Sequence, residues 1–143
     1  MGLFDFAHNI GKKLFDKEEE AGEKIQEHIA EDNPGVSNLN VSVEDGVATI
    51  TGEAESASAL EKAILMTGNA MGISEVRAEG LTAPTSDVDV QYYEIEKGDS
   101  LWKIADKLYG DGNKYKQIFE ENKEVIKDPD LIFAGQKIRI PSA

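Results

Sequence analysis

Only two histidines, His8 and His28, and no cysteine stand among the side chains that most often ligate metals or attack substrates. Disulfides and thiolate metal sites are therefore excluded, and a multi-histidine transition-metal site lacks its ligands. Serines and acids are present, but no G-x-S-x-G elbow presents a serine nucleophile. Neither a phosphate loop nor a zinc motif occurs. Asp111-Gly112-Asn113 begins like a calcium loop but lacks the further spacing of acids and the terminal Glu. Paired acids such as Glu18-Glu19 read as solvated charge rather than a catalytic dyad. With no catalytic constellation, the expectation is a binding protein and not an enzyme.

Charge narrows the ligand class. The chain has 15 basic and 28 acidic residues and a net charge of −13. That excess repels nucleic-acid phosphates and anionic membranes and favours cations, without selecting one. The acidity is uneven: residues 1–83 hold 16 acids against 6 bases, and residues 84–143 hold 12 against 9. No run approaches the ~18 apolar residues of a membrane span. The opening residues do not read as a signal peptide, and Phe6 stands where a myristoylation motif needs Ser or Thr. The expected compartment is the cytoplasm.

The elements that must position any site follow from periodicity. Leu3, Phe6, Ala7, Ile10 and Leu14 share one helical face, widened by Phe4 and Phe15. Only Lys12 and Lys13 could enrich the polar face, and Glu18-Glu19-Glu20 follows, so docking on the protein's own core is favoured over a membrane anchor. A second helix is expected over 20–31, with Ala21, Ile25 and Ile29 inward, ended by Asp32-Asn33-Pro34-Gly35. Leu39, Val41 and Val43 alternate up to a turn at Glu44-Asp45-Gly46, and Ala48 and Ile50 alternate after it, which predicts a β-hairpin. A third helix starts near Ser56, with Leu60, Ala63, Ile64, Thr67 and Met71 at helical spacing. The segment Gly68-Asn69-Ala70-Met71-Gly72-Ile73 loosens the chain before a strand from Val76 to Leu81. Ala83-Pro84-Thr85-Ser86-Asp87 has linker composition.

Beyond it the expected order is β-α-α-β. Tyr93 and Ile95 begin a strand. Gly98-Asp99-Ser100 turns the chain, with Asp99 or Ser100 as helix N-cap. Leu101, Ile104, Ala105 and Leu108 form a helical face, Gly110-Asp111-Gly112 breaks it, and Tyr115, Ile118 and Phe119 mark a second short helix. Asp128-Pro129-Asp130 turns again, and Ile138 and Ile140 close the chain as a strand. The organisation is α+β: an N-terminal amphipathic helix at 1–19, an αββαβ domain at 20–83, a linker at 84–91 and a βααβ domain at 92–143.

The run from Tyr93 to Ala105, Tyr-Glu-Ile-Glu-Lys-Gly-Asp-Ser-Leu-Trp-Lys-Ile-Ala, looks like the opening of a LysM domain. The run from Ile132 to Pro141 looks like its close, with Ala134 where that family usually has proline. LysM domains bind N-acetylglucosamine polymers such as peptidoglycan. The resemblance implies a sugar groove at Gly98, Asp99, Ser100 and Leu101, with Leu131, Ile132 and Phe133 opposite. An equal alternative is that Gly98 and Asp99 merely form the turn and cap. Residues 20–83 resemble a BON domain, through Val41, Val43, Asp45-Gly46, Ala48, Ile50, Gly52, Gly72-Ile73 and Val76. Together with Met1-Gly2-Leu3-Phe4-Asp5-Phe6, Tyr109-Gly110 and Ile118-Phe119-Glu120-Glu121-Asn122-Lys123, the combination resembles the cytoplasmic bacterial potassium-binding protein family. That resemblance implies K⁺ as the ligand, shared with Rb⁺ and Cs⁺, in a monomeric ion sensor that compacts on binding. A peptidoglycan-binding envelope protein is the alternative.

Given K⁺ as the implied ligand, its chemistry indicates where to look. The ion is large and weakly hydrated, so a ring of neutral carbonyl oxygens can replace its water shell. Carboxylates suit Ca²⁺ or Mg²⁺ better. Carbonyls at helix ends are not spent on the helix and carry partial negative charge. Two segments of the acidic half offer such groups: the end of the first helix near Ala7, Ile10 and Gly11, and the loop bearing Gly68, Gly72 and Ile73. The alternative is that Gly11 and Gly72 only terminate helices.

Overall fold

The computed structural model of the protein describes residues 6, 14–15, 17–84, 90–126, 128–129 and 132–141. The expected N-terminal helix therefore falls almost wholly outside the described residues. So do Ala7, Ile10, Gly11 and Leu131.

The first unit is αββαβ. Helix α1 (Glu18–Glu31) turns Ala21, Ile25 and Ile29 inward at four-residue spacing. It lies so close to strand β1 (Val36–Glu44) that a Cβ on Gly22 would collide with the Val41 carbonyl. Strand β2 (Val47–Ala54) pairs antiparallel with β1. The turn between them holds Asp45 (φ 51°) and Gly46 (φ 78°) in the left-handed region, the geometry of a tight hairpin. The Glu18 carboxylate accepts from the backbone N–H of both, at 2.8 and 3.1 Å, and ties the helix to the turn.

Helix α2 (Ala57–Gly68) is capped by Ser56, whose hydroxyl accepts from the Ala59 N–H at 3.0 Å. It crosses back so that strand β3 (Glu75–Thr82) lies parallel to β2, giving the sheet order β1-β2-β3. Every residue from Ala63 to Gly68 is buried. A helix with one neighbour shows a stripe of buried residues; this one is covered by the sheet on one side and by the second unit on the other. Met71, expected on the same face, lies beyond the helix end and is 40% exposed.

The second unit is βααβ, and the α+β class expected from periodicity is the one observed. Strand β4 (Val90–Glu94) begins inside the stretch read as linker and pairs antiparallel with β5 (Lys137–Pro141). Between them come α3 (Leu101–Tyr109), a 3₁₀ turn (Gly112–Lys114) and α4 (Tyr115–Glu120). Ser100 caps α3, accepting from the Lys103 N–H at 3.1 Å, and Gly110 closes it at φ 74°. Leu101, Ile104, Ala105, Ile118, Ile138 and Ile140 form a separate core. Leu108, expected on that apolar face, is instead 37% exposed.

Candidate cation site and domain junction

The loop after α2 is built by glycine geometry. Gly68 ends the helix against the Phe6 ring, with no room for a Cβ, and Gly72 adopts φ +101° with the Phe15 ring 3.0 Å from where a Cβ would stand. Both glycines are thus required by packing and backbone shape. The Phe6 N–H donates to the Ser74 carbonyl at 2.9 Å, which ties Phe6 to the end of the loop. Phe6 is 8% exposed and belongs to the first core, with Leu14 and Phe15 packed beside it. Thr67 and Ala70 carbonyls are taken by the loop's own N–H groups. Among the described residues, no backbone N–H outside regular elements donates to the carbonyls of Gly68, Gly72 or Ile73.

The side chains offer other chemistry little purchase. Among the described residues, no three His, Asp or Glu side chains converge as a metal cage would need. No helix there is long and apolar enough to cross a membrane. The loop lies against the buried ring of Phe6.

The same loop joins the two units. Ile95 N–H donates to the Gln136 carbonyl at 2.8 Å, which sets the phase of the ladder. Gln136, Ile138 and Ile140 then bond toward β4, and the backbone of Lys137 and Arg139 faces the open edge. Asparagine side chains close that edge. Asn69 donates to the Lys137 carbonyl at 2.7 Å and accepts from its N–H at 2.8 Å. Asn122 repeats this on Arg139 at 2.8 and 2.9 Å and also donates to the Ile118 carbonyl. One asparagine comes from each unit.

A charged seam surrounds the edge. Arg139, 4% exposed, reaches Glu121 at 2.7 Å and Glu61 at 3.5 Å. Tyr92 donates its hydroxyl to Glu61 at 2.6 Å, and burial, ahead of that bond, holds its pKa well above the ordinary tyrosine value. Lys62 lies 2.8 Å from Glu124, although that carboxylate oxygen lacks hydrogen-bond alignment.

The expected sugar groove is only partly open. Gly98 has φ +89° with nothing within 4 Å of a would-be Cβ, so backbone shape alone requires it. Asp99 is committed to the turn: it accepts from the Tyr93 hydroxyl at 2.6 Å and the Glu96 N–H at 2.9 Å. Ser100 is the cap, and Leu101 is 2% exposed in the core. Ile132 and Phe133 are half-buried, with the Phe133 N–H donating to Gln136 Oε1 at 3.3 Å.

An αββαβ unit followed by a βααβ unit defines a BON–LysM protein. The BON family model matches residues 17–91, and the LysM family model matches residues 93–141. Over 99% of its length the chain is 38% identical to the Potassium binding protein Kbp of Escherichia coli O6:H1, covering 99% of that protein. The chain belongs to that BON–LysM family. Over about a third of its length the chain is also similar to two further proteins. One is an uncharacterized protein of Deinococcus radiodurans, 53% identical over 34% of this chain and 19% of that one. The other is the uncharacterized protein YqbP of Bacillus subtilis, 41% identical over 34% of this chain and 26% of that one.

Proposed function

We propose that this protein is a selective K⁺-binding protein acting as a cytoplasmic ion sensor. The ion is held by backbone carbonyls of the Gly68–Ile73 loop together with those near Ala7, Ile10 and Gly11. Rb⁺ and Cs⁺ enter the same site. The observation that carries this reading is the loop itself: two glycines fixed by packing and backbone shape in the acidic half of the chain, with the Phe6 ring against Gly68, and carbonyls at Gly68, Gly72 and Ile73 that accept from no backbone N–H outside regular elements among the described residues. Full-length similarity to a protein named for potassium binding supports it. Carbonyl number and field strength discriminate K⁺ from the smaller Na⁺. The chain acts as a monomer, without catalysis.

Binding at the loop couples to the second unit because Asn69 stands in the loop and grips β5. An ion that favours one arrangement shifts the population toward it. The LysM half supports a second reading, glycan binding at Gly98 and Ile132–Phe133, since that family match is independent of the first. Isothermal titration with K⁺, Na⁺ and a chitooligosaccharide separates the two. The expected result is saturable heat with K⁺, a far weaker response to Na⁺, and none with the sugar. Equal responses to both salts would reduce the effect to ionic strength acting on a highly charged chain, and heat from the sugar alone would favour the second reading.

A further inference from the structure

Lys137 is among the largest fully buried side chains of the protein, at 1% exposure. It occupies a position on β5 where the sequence alternates apolar and basic residues, yet its ammonium does not reach water. Its Nζ lies over the Phe6 ring, 4.4 Å from the centroid. The other landmarks of the loop adjoin it: the Phe6 ring abuts Gly68, the Phe6 N–H bonds to Ser74, and Asn69 brackets the Lys137 backbone. Burying an ammonium is costly unless oxygens and an aromatic face receive it. An ammonium is also a compact monovalent cation, and the carbonyl oxygens that replace the water around K⁺ accept hydrogen bonds from it equally well.

Resting on the potassium reading above, we propose that Lys137 is a tethered competitor for the ion. Its ammonium is held at the Phe6–loop junction when K⁺ is absent and must leave when K⁺ enters. Binding is then an exchange of one monovalent cation for another. The affinity is set partly by how readily the lysine can be expelled. Asn69 grips backbone atoms of residue 137, so the strand stays held when the side chain moves.

The test compares wild type with Lys137→Met, which keeps the stem and removes the charge, by K⁺ calorimetry at constant Na⁺. The expected result is K⁺ affinity about tenfold tighter or more in the variant, from loss of a like charge at close range. A second measurement uses the wild type alone: reductive methylation by formaldehyde and borohydride, read by peptide mass spectrometry. Lys137 should be protected without K⁺ and become reactive at saturating K⁺, while Na⁺ leaves it protected. A purely structural lysine would show no such K⁺ dependence. Unchanged or weaker affinity in the folded variant, or a Lys137 equally protected at saturating K⁺, overturns the inference. If the variant does not fold, the methylation rate decides alone, in the same two directions. If both proteins bind K⁺ equally, this inference alone fails; if neither takes up K⁺, the functional reading fails with it.

Discussion

Asn69 and Asn122 perform the same act on neighbouring residues of one strand. Each amide donates and accepts in the plane of the backbone, as a further β-strand would. A leucine has the same branching at Cγ and neither function. Replacing either residue leaves a buried N–H and C=O unsatisfied, at about 1–3 kcal/mol for such a group. The consequences should differ by location. Asn122→Leu should lower the melting temperature of the LysM unit, because it also loses the bond to Ile118. Asn69→Leu should loosen the junction and weaken K⁺ binding while each unit stays folded. Thermal melts and K⁺ titration of the two variants check this; equal loss of K⁺ affinity in both would break the assigned division of labour. Sequence gave no hint of the pairing. Asn69 sits in a segment read as loose loop, where asparagine is common, and a buried role needs a partner 68 residues away.

Among the elements, strand β5 shows where periodicity misleads. Lys137-Ile138-Arg139-Ile140 alternates like a strand with one wet face, and the isoleucines do enter the LysM core. All five residues are nonetheless buried, because the BON unit covers the basic face. Such covering is a tertiary fact that a local pattern cannot carry. The same reason explains α2, whose apolar stripe was legible but whose burial on all sides was not. Helices α1 and α3, the hairpin and the Ser100 cap follow local rules and were readable from residue types alone. Of the candidate site, the break in the chain at Gly68 and Gly72 was legible; the ring of Phe6 against Gly68 and the buried lysine were not.

The turn before α3 yields a pH prediction. Burial raises the Asp99 carboxyl pKa, but the Tyr93 hydroxyl, the Glu96 N–H and the nearby Lys107 and Lys103 outweigh it, so the group sits below its ordinary range. A depressed carboxylate contributes stability above the ordinary carboxylate pKa and loses it as pH falls through the depressed value. Acid should therefore weaken the LysM unit, and Asp99→Asn should flatten that dependence at the cost of lower stability near neutrality. Melting temperatures of both proteins from neutral pH down through the carboxylate range read this out. Parallel curves would remove Asp99 from the account.

For the whole molecule, two small domains with separate cores meet, among the described residues, through the Asn69 clamp and a charged seam. Polar junctions between domains of one chain permit relative motion by default. If K⁺ orders the loop that carries Asn69, it should favour the docked arrangement, and docking should favour K⁺ to the same degree. Small-angle scattering should show a smaller radius of gyration at saturating K⁺ than in Na⁺ alone, with the difference reduced in Asn69→Leu. An unchanged profile would confine the ion's effect to the loop.

The central claim is that backbone carbonyls of this loop hold K⁺. Carbonyl carbon chemical shifts report it directly, in ¹³C,¹⁵N-labelled full-length protein titrated with KCl against an equal ionic strength of NaCl. The account predicts saturable shifts at Gly68, Gly72 and Ile73 with K⁺ and little change with Na⁺. Carbonyl shifts in this loop that stay fixed at saturating K⁺, or that move equally with both salts, would contradict it.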